Sequence, residues 1–225
     1  MGFESKIVNA KGLEDVTKQI KSVGGSTPLQ VVAYVTKDAK RIVDETIKQF
    51  GKFDVLLNNA GNSNHDKIQD LKMEDFDRVF NTNVRSVVIL TQLCVPHLEE
   101  NEGKYCEYFQ HRRIETNFHT NCIHPAVIRT PIFGNVGMNE ETANKLFEQV
   151  KKAYPVGRVG EVSNTSEAIA FLADNEGTSF LTGIFLSVDG GSMVAGRRRM
   201  LKIIMVSAFT IHSLSLPPSL PHTIL

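Results

Sequence analysis

Cysteine is scarce in this chain, and charge of one sign is not in excess. Three cysteines occur in 225 residues without a C-x-x-C pair, which excludes a disulfide framework and favours reduced thiols. Lys plus Arg and Asp plus Glu each number 25, so no basic excess favours nucleic-acid binding. The chain has no run of 18 apolar residues and no secretory signal at its start. We therefore expect a cytoplasmic protein that binds neither nucleic acid nor membrane.

The last part of the chain has a different composition. Residues 203–225 contain no Asp, Glu, Lys or Arg, yet hold three of the eight prolines. A basic cluster at 197–199 precedes them, so membrane contact is an alternative, although the apolar stretch is about half a span in length. We predict one domain over residues 1–195 and a disordered tail, foreign to that domain, over 196–225.

Hydrophobic periodicity predicts alternating helices and strands. A first helix ends at the glycine pair 24–25, and residues 29–34 and 53–59 are two buried strands. Between these strands we predict a helix that Thr36 caps and Gly51 ends. Strand, helix and strand at this spacing form a βαβ unit of a parallel sheet. Further helices are predicted at 73–98, 139–153 and 161–174, and further strands at 119–124 and 184–188.

Six short sequences lie in or beside these elements, in a fixed order along the chain. The N-N-A-G sequence at 58–61 ends a strand, where small residues let a ligand approach the backbone. A simple strand-to-loop turn is the alternative for that sequence alone. The others are N-T-N-V at 81–84, H-P-A-V-I-R-T-P at 124–131, G-R-V-G at 157–160, S-F-L-T-G at 179–183 and S-V-D-G-G at 187–191.

Taken together, this set resembles the classical short-chain dehydrogenase/reductase family, and most of all its 3-oxoacyl-carrier-protein-reductase-like members. The resemblance runs from about residue 8 to residue 195. It implies a Rossmann-like, doubly wound parallel α/β sheet, a partial NAD(P)-binding domain over 1–195, and NAD or NADP as cofactor. It also implies hydride transfer to or from a small-molecule carbonyl or alcohol, and assembly as a homo- or hetero-oligomer, usually a tetramer.

The resemblance assigns roles to six residues. Asn59, Ala60 and Gly61 match the turn that contacts the cofactor, and Ile128 and Thr130 match positions that contact the nicotinamide amide. Asn83 matches the catalytic-site asparagine that holds a water in the proton relay. Structural alternatives are a helix kink at Asn83 and a turn at Thr130. We interpret Arg158 and the D-G-G turn at 189–191 as structural.

The chain departs from the family pattern at its cofactor site. It has no glycine-rich T-G-x-x-x-G-x-G turn, which holds the pyrophosphate, and its sequence begins at the family's second strand. Tyr34 replaces the family's adenine-contacting Asp, and Ala126 replaces a glycine near the nicotinamide. From these changes we expect a sheet without its first strand and weakened cofactor binding.

The catalytic groups are also missing. The family needs a serine and a Tyr-x-x-x-Lys pair on the next helix, but no serine lies between Ser86 and Ser163. Tyr105 precedes Phe109 by four residues, and Tyr108 precedes Arg112, which cannot shuttle a proton as lysine can. Residues 104–121 are too few for the family's strand and catalytic helix, and we expect that helix to be absent. The segment 105–119 matches nothing in the family.

A metal site is an alternative interpretation of the segment 105–119 and the residues just after it. It is rich in soft ligands, but their spacing fits no common zinc pattern, and we predict no metal. The ligands considered are Cys106, His111, His119, Cys122 and His124.

Two functional hypotheses remain. The first is an NAD(P)-dependent oxidoreductase of this family that is truncated, internally deleted and catalytically impaired. The second is a catalytically silent, truncated or mis-spliced homologue that acts only through association with intact relatives.

Overall fold

The computed structural model describes residues 10–64, 66–100, 104–106, 119–135, 137–174 and 176–195. The predictions for the tail at 196–225, for the absent first strand before residue 10 and for the absent catalytic helix at 107–118 lie outside these residues. The described elements, in chain order, are α1 (Ala10–Ser22), α2 (Ala39–Phe50), β1 (Val55–Leu57), α3 (Met73–Phe80), a π-helical turn (Asn81–Arg85), α4 (Ser86–Glu100), β2 (Lys104–Cys106), β3 (His119–Pro125), α5 (Ile132–Asn135), α6 (Glu140–Ala153), α7 (Val162–Ala173) and β4 (Phe185–Val188).

The described strands form one parallel sheet in the order β1-β2-β3-β4. The register places Tyr105 between Leu56 and Thr120, and Ile123 beside Leu186. Parallel neighbours need crossover connections of about a dozen residues or more, usually helical. Helices α3 and α4 connect β1 to β2, and α5 to α7 connect β3 to β4. Twelve residues, 107–118, connect β2 to β3.

Helices cover both faces of the sheet, because successive side chains of a strand point to opposite faces. Leu56 is fully buried among side chains of α2 and α4, including Val43 and Leu90. The next residue, Leu57, packs instead on the cluster that Ile169 and Leu172 of α7 form with β3. This two-sided packing confirms the predicted α/β, doubly wound architecture.

The predicted strand at 29–34 is wrong. These residues run as irregular chain without ladder hydrogen bonds, and Val32 remains 55% exposed. The carbonyl of Val32 accepts a hydrogen bond from the Arg41 guanidinium at 2.8 Å. A strand needs a neighbour that pairs with its backbone groups, and none of the four described strands pairs with this segment. The predicted βαβ unit is therefore not formed there.

The start of α2 also differs from the prediction. Asp38, not Thr36, is the N-cap residue, because a turn at 35–37 delays the helix. The Asp38 carboxylate accepts the Tyr34 amide at 2.8 Å, and the Tyr34 carbonyl accepts the amides of Lys37 and Asp38. The predicted stop at Gly51 is confirmed, since this residue has the left-handed φ of 78° that glycine adopts readily.

The long helix predicted at 73–98 is interrupted. Its middle five residues, Asn81–Arg85, form a π-helical turn, a feature that inserts extra backbone into a helix. Strand β1 is shorter than the predicted 53–59, whereas β3, β4, α6 and α7 lie within one or two residues of the predicted ranges.

Candidate active site

The residues predicted to bind cofactor follow the carboxyl ends of two parallel strands. Asn59, Ala60 and Gly61 come after β1, and Ile128 and Thr130 come after β3. The carboxyl ends of parallel strands meet at one edge of the sheet, which is where ligands of such sheets bind. The structure therefore brings both groups to the same edge, with β2 between their strands.

Asn83 lies in the π-helical turn and clamps the loop after β1. Its side-chain Oδ1 accepts the backbone amide of Asn62 at 2.9 Å, and its Nδ2 donates to the Asn62 carbonyl at 2.8 Å. The side chain predicted to hold a relay water is thus engaged with backbone, and it positions the loop that follows the N-N-A-G sequence. A role for Asn83 in proton relay stays a prediction.

Asn62 adds a second connection that sequence reasoning missed. Its Nδ2 donates to the hydroxyl of Thr82 at 3.0 Å, while its Oδ1 is buried without a partner among the described residues. Thr82 is buried, and its carbonyl accepts the hydroxyl of Ser86 at 2.5 Å. These contacts, with the Asn83 clamp, hold the loop on the π-helical turn.

The chain after β3 is fixed by a close approach to the residue before α7. An isolated parallel bridge pairs Ile128 with Gly160, whose amide donates to Val127 and whose carbonyl accepts the amide of Arg129. A Cβ on Gly160 would lie 2.3 Å from Ile128 Cδ1 and 3.3 Å from the Val127 carbonyl oxygen, so a larger residue there would displace the Ile128 side chain. The bridge uses the peptide groups on either side of Ile128, which itself is 3% exposed.

Thr130 provides the test of whether a nicotinamide fits this edge. Its Oγ1 is buried and has no hydrogen-bond partner among the described residues. A buried hydroxyl without a partner carries a cost that a ligand would remove. The hydroxyl of Thr130 therefore suits a carboxamide, which both donates and accepts hydrogen bonds, whereas a contact of Ile128 with the cofactor stays a prediction.

Hydrogen bonds of two side chains, Tyr154 and Asp189, fix the loops next to this edge, and we call these two residues the brace. The Tyr154 hydroxyl accepts the amide of Val127 at 3.1 Å. The pKa of Tyr154 is raised, chiefly because the phenol is partly buried. The Asp189 carboxylate accepts the amides of Gly191 and Met193 and the hydroxyl of Ser192, at 2.9–3.0 Å. Burial raises the pKa of Asp189, but these hydrogen bonds outweigh it and leave that pKa below its ordinary value.

Arg158 supports the start of α7. Its guanidinium donates to the Asn164 side chain at 2.8 Å and to the carbonyl of Val159 at 3.2 Å. Asn164 Oδ1 also accepts the amide of Glu161, the N-cap residue. These contacts give Arg158 a structural role, as do those of Asp189 for its own turn.

The ligands considered for a metal are not brought together within the described part of the chain, where no group of three or more His, Cys, Asp or Glu could hold an ion. His119 Nδ1 lies 3.1 Å from the Leu181 carbonyl, and Cys122 is buried, is in no disulfide and has its thiol 3.7 Å from the Ile123 carbonyl. The side chain of Cys106 and the whole of His111 lie outside the described residues. In the same part of the chain, no helix is long and apolar enough to cross a membrane.

Two family models match the chain and together cover the domain. The model described as short chain dehydrogenase matches residues 5–107, and the one described as Enoyl-(Acyl carrier protein) reductase matches residues 106–193. The chain belongs to the short-chain dehydrogenase/reductase family. This confirms the resemblance drawn from the six short sequences, and both matches end before the predicted tail at 196–225.

Known members of the short-chain dehydrogenase/reductase family cover most of the chain at modest identity. The 3-oxoacyl-[acyl-carrier-protein] reductase of Thermotoga maritima is 25% identical over 83% of this chain and 85% of its own length. The 7alpha-hydroxysteroid dehydrogenase of Bacteroides fragilis is 27% identical over 73% of each. The crystal structure of a glucose dehydrogenase of Caenorhabditis elegans is 29% identical and covers 83% of this chain and 84% of its own, with a TM-score of 0.66.

A further structure supports the fold alone. A short-chain dehydrogenase/reductase of unknown function from Caenorhabditis elegans, solved with cofactor, has a TM-score of 0.72 at 23% identity and covers 81% of this chain and 82% of its own. Members of the family are NAD(P)-dependent dehydrogenases and reductases, so this chain is of oxidoreductase lineage.

Proposed function

We propose that this chain is an NAD(P)-dependent oxidoreductase by lineage, acting on carbonyl or alcohol groups of small molecules, whose catalytic step is impaired. The observation that carries the proposal is the connection between β2 and β3. It has twelve residues, 107–118, and contains neither a serine nor a tyrosine with lysine four residues later.

Several residues of this chain support binding of the nicotinamide end of the cofactor. A bound NAD(P)H would supply the hydride. The buried Thr130 hydroxyl would hold the carboxamide and so orient the ring at the sheet edge. The turn at 58–61, kept in place by the Asn83 clamp, offers small residues for close approach.

Proton delivery is the step that lacks residues. A carbonyl oxygen needs a proton as the hydride arrives, and general acids contribute about 10²–10⁴-fold to such steps. None of the four tyrosines has lysine four residues later. Tyr154 is followed at that spacing by Arg158, and its hydroxyl faces the Val127 amide behind the site. Asn83 has its side chain engaged with backbone.

The lengths of the alignments support an internal loss. The alignment with the Thermotoga reductase runs over 217 positions, whereas 83% of these 225 residues is about 187, so about 30 aligned positions have no residue here. The two family models also meet at residues 106–107, where the short connection begins. A loss there would remove the part of the family sequence that carries serine, tyrosine and lysine.

The test is a pair of measurements on the purified full chain. We expect no turnover above buffer with a panel of ketones and β-ketoacyl thioesters and either reduced cofactor, followed by absorbance. We also expect no saturable binding of NADH or NADPH at micromolar concentrations in a fluorescence titration, because the chain has no glycine-rich turn for the pyrophosphate. Turnover that is lost in Tyr108→Phe would overturn the proposal.

The second candidate is a silent homologue that acts by associating with intact relatives. The alignment positions without a counterpart favour it as well. No binding even at millimolar cofactor, from a chain that unfolds cooperatively, would assign the protein to this candidate. Millimolar binding that is weakened by Thr130→Val would assign it to the first.

We also propose that the protein is cytoplasmic. Cys94 and Cys122 are buried and neither is in a disulfide, which supports a reducing compartment. Burial raises the pKa of Cys94 to about 12, so this thiol is protonated and inert at neutral pH.

A further inference from the structure

Tyr154 lies where three segments of the described chain meet. Its amide donates to the Val150 carbonyl at 2.9 Å and so caps α6, and its hydroxyl accepts the Val127 amide at 3.1 Å, 27 residues earlier in the chain. Its ring lies against the turn after β4, since a Cβ on Gly190 would come within 3.3 Å of Tyr154 Cδ2. One side chain therefore connects the end of α6, the turn after β4 and the chain after β3.

Backbone groups of residues 127 and 129 bond to the chain between α6 and α7. The Val127 carbonyl accepts the Gly160 amide at 3.1 Å, and the Gly160 carbonyl accepts the Arg129 amide at 2.8 Å. These two bonds join backbone to backbone, whereas the Val127 amide bonds to the Tyr154 hydroxyl. Val127 is 2% exposed, so little water could replace that hydroxyl. Only this last bond depends on a side chain, so a single substitution removes it.

Thr130 comes directly after this stretch. Its buried Oγ1 has no hydrogen-bond partner in the described part of the chain and is the group that suits the carboxamide of the cofactor. A binding group has to be held within about 0.5 Å of its productive position to be effective. The Tyr154 hydroxyl fixes the peptide three residues before Thr130, so it also restricts where the Thr130 hydroxyl lies.

Tyr154 is not a substitute for the family's catalytic tyrosine. Arg158, not a lysine, lies four residues after it. The pKa of its phenol is raised, chiefly by burial and further by the negative charge of Asp189, against a lowering by the Val127 amide. A general acid is most effective when its pKa lies near the working pH. The phenol of Tyr154 therefore serves as a neutral hydrogen-bond acceptor.

We propose that Tyr154 is a positioning residue for the nicotinamide half of the cofactor and acts on it through the Val127 peptide and Thr130. The inference rests on the proposed function, because it assumes that the Thr130 hydroxyl holds the carboxamide. The backbone of Tyr154 is fixed by α6 and its ring by the turn after β4. Its hydroxyl is thus a fixed point against which the chain after β3 is set.

Titration of the purified full chain with millimolar reduced nicotinamide mononucleotide, followed by NMR, tests the proposal. We expect Tyr154→Phe and Thr130→Val each to weaken binding about three- to tenfold, which is the effect of losing one hydrogen bond. The double variant binds no more weakly than Thr130→Val alone, because Tyr154 acts through Thr130. Two independent roles would instead give the product of the two single losses.

Thr46→Val is the matched control for the loss of a buried hydroxyl. Thr46 lies in α2, on the other face of the sheet from α7, is 2% exposed and donates to the Ile42 carbonyl at 2.8 Å. Its substitution leaves binding of the mononucleotide unchanged. In the ligand-free chain, Tyr154→Phe shifts the Thr130 methyl resonance and speeds hydrogen exchange of the Val127 amide, and Thr46→Val does neither.

A second variant provides the test if Tyr154→Phe fails to fold. Gly190→Ala keeps the Tyr154 hydroxyl but places a methyl group against the ring, at a φ of 60° that disfavours alanine. We expect it to shift the Thr130 methyl resonance and to weaken binding of the mononucleotide. On a Thr130→Val background the further loss of binding is absent.

The proposed function and the role of Tyr154 fail in different ways. Absence of millimolar binding by the wild-type chain, or binding that Thr130→Val leaves unchanged, overturns the cofactor role of Thr130 and that of Tyr154 with it. Binding that Thr130→Val weakens and Tyr154→Phe does not overturns the role of Tyr154 alone. So does a double variant whose loss is the product of the single losses.

Discussion

The two ends of the candidate site are stabilised in different ways. After β1, the loop is held by side-chain amides, chiefly the two hydrogen bonds between Asn83 and Asn62. After β3, the chain is held by packing, with Val127 in a cluster with Phe147 and Val159 and with Gly160 against Ile128. The stability of the first end therefore depends on a few directional hydrogen bonds, and that of the second on a packed hydrophobic cluster.

The largest expected effect comes from breaking the packed end. Phe147 is 6% exposed, touches Phe133 edge-on at 5.2 Å and lies under the Arg129 guanidinium at 4.3 Å. Truncating a buried Phe costs about 3–5 kcal/mol, so Phe147→Ala lowers the free energy of unfolding by that amount. Urea denaturation measures it; Phe171→Ala, at a phenylalanine 50% exposed on α7, is the matched control and changes it little.

The next effect comes from the directional end. Asn83→Ala removes both bonds to Asn62 and leaves a backbone amide and carbonyl unpaired, which costs about 1–3 kcal/mol. Asn62→Ala removes only the bond to Thr82 and costs about 1 kcal/mol. Hydrogen exchange of the loop at 58–64 separates the two, since only Asn83→Ala frees the Asn62 amide. Equal exchange in both variants would contradict the clamp.

The smallest expected effect is a pH-dependent change in stability, and it concerns Asp189 next to the packed end. The pKa of Asp189 is lower in the folded than in the unfolded protein, so its stabilisation is present above the unfolded pKa near 3.8 and is lost as pH falls through the folded value. Asp189→Asn is therefore less stable at neutral pH by about 1 kcal/mol, and the difference from wild type shrinks below pH 4. A difference that does not shrink at all as the pH falls below 4 would show that the charge is not responsible.

Local sequence predicted those elements whose contacts are local. Helix α6 begins at Glu140, one residue after the predicted start, because Asn139 caps it and accepts the Thr142 amide at 2.8 Å. Gly51 ends α2 through its own backbone freedom. The segment at 29–34 has the composition of a strand, but none of the described strands pairs with it. Composition does not reveal whether a segment finds a pairing partner.

In the candidate site, too, local features were predicted and contacts between residues distant in sequence were not. The short sequences placed Asn59 and Thr130 at strand ends, and the parallel sheet brings those ends to one edge. The partner of Asn83 is 21 residues away in sequence, and that of Tyr154 is 27 residues away. No spacing rule identifies such pairs, so the clamp and the brace could not be predicted.

The sequence alone determined the family, the helices with strong caps, the parallel α/β architecture and the missing catalytic side chains, because each depends on residue identity or on a period of a few residues. The tertiary structure decided which predicted strand finds a partner and where the long helix becomes a π-helical turn. These features depend on contacts between residues distant in the chain, and their free energy exists only once the elements pack together.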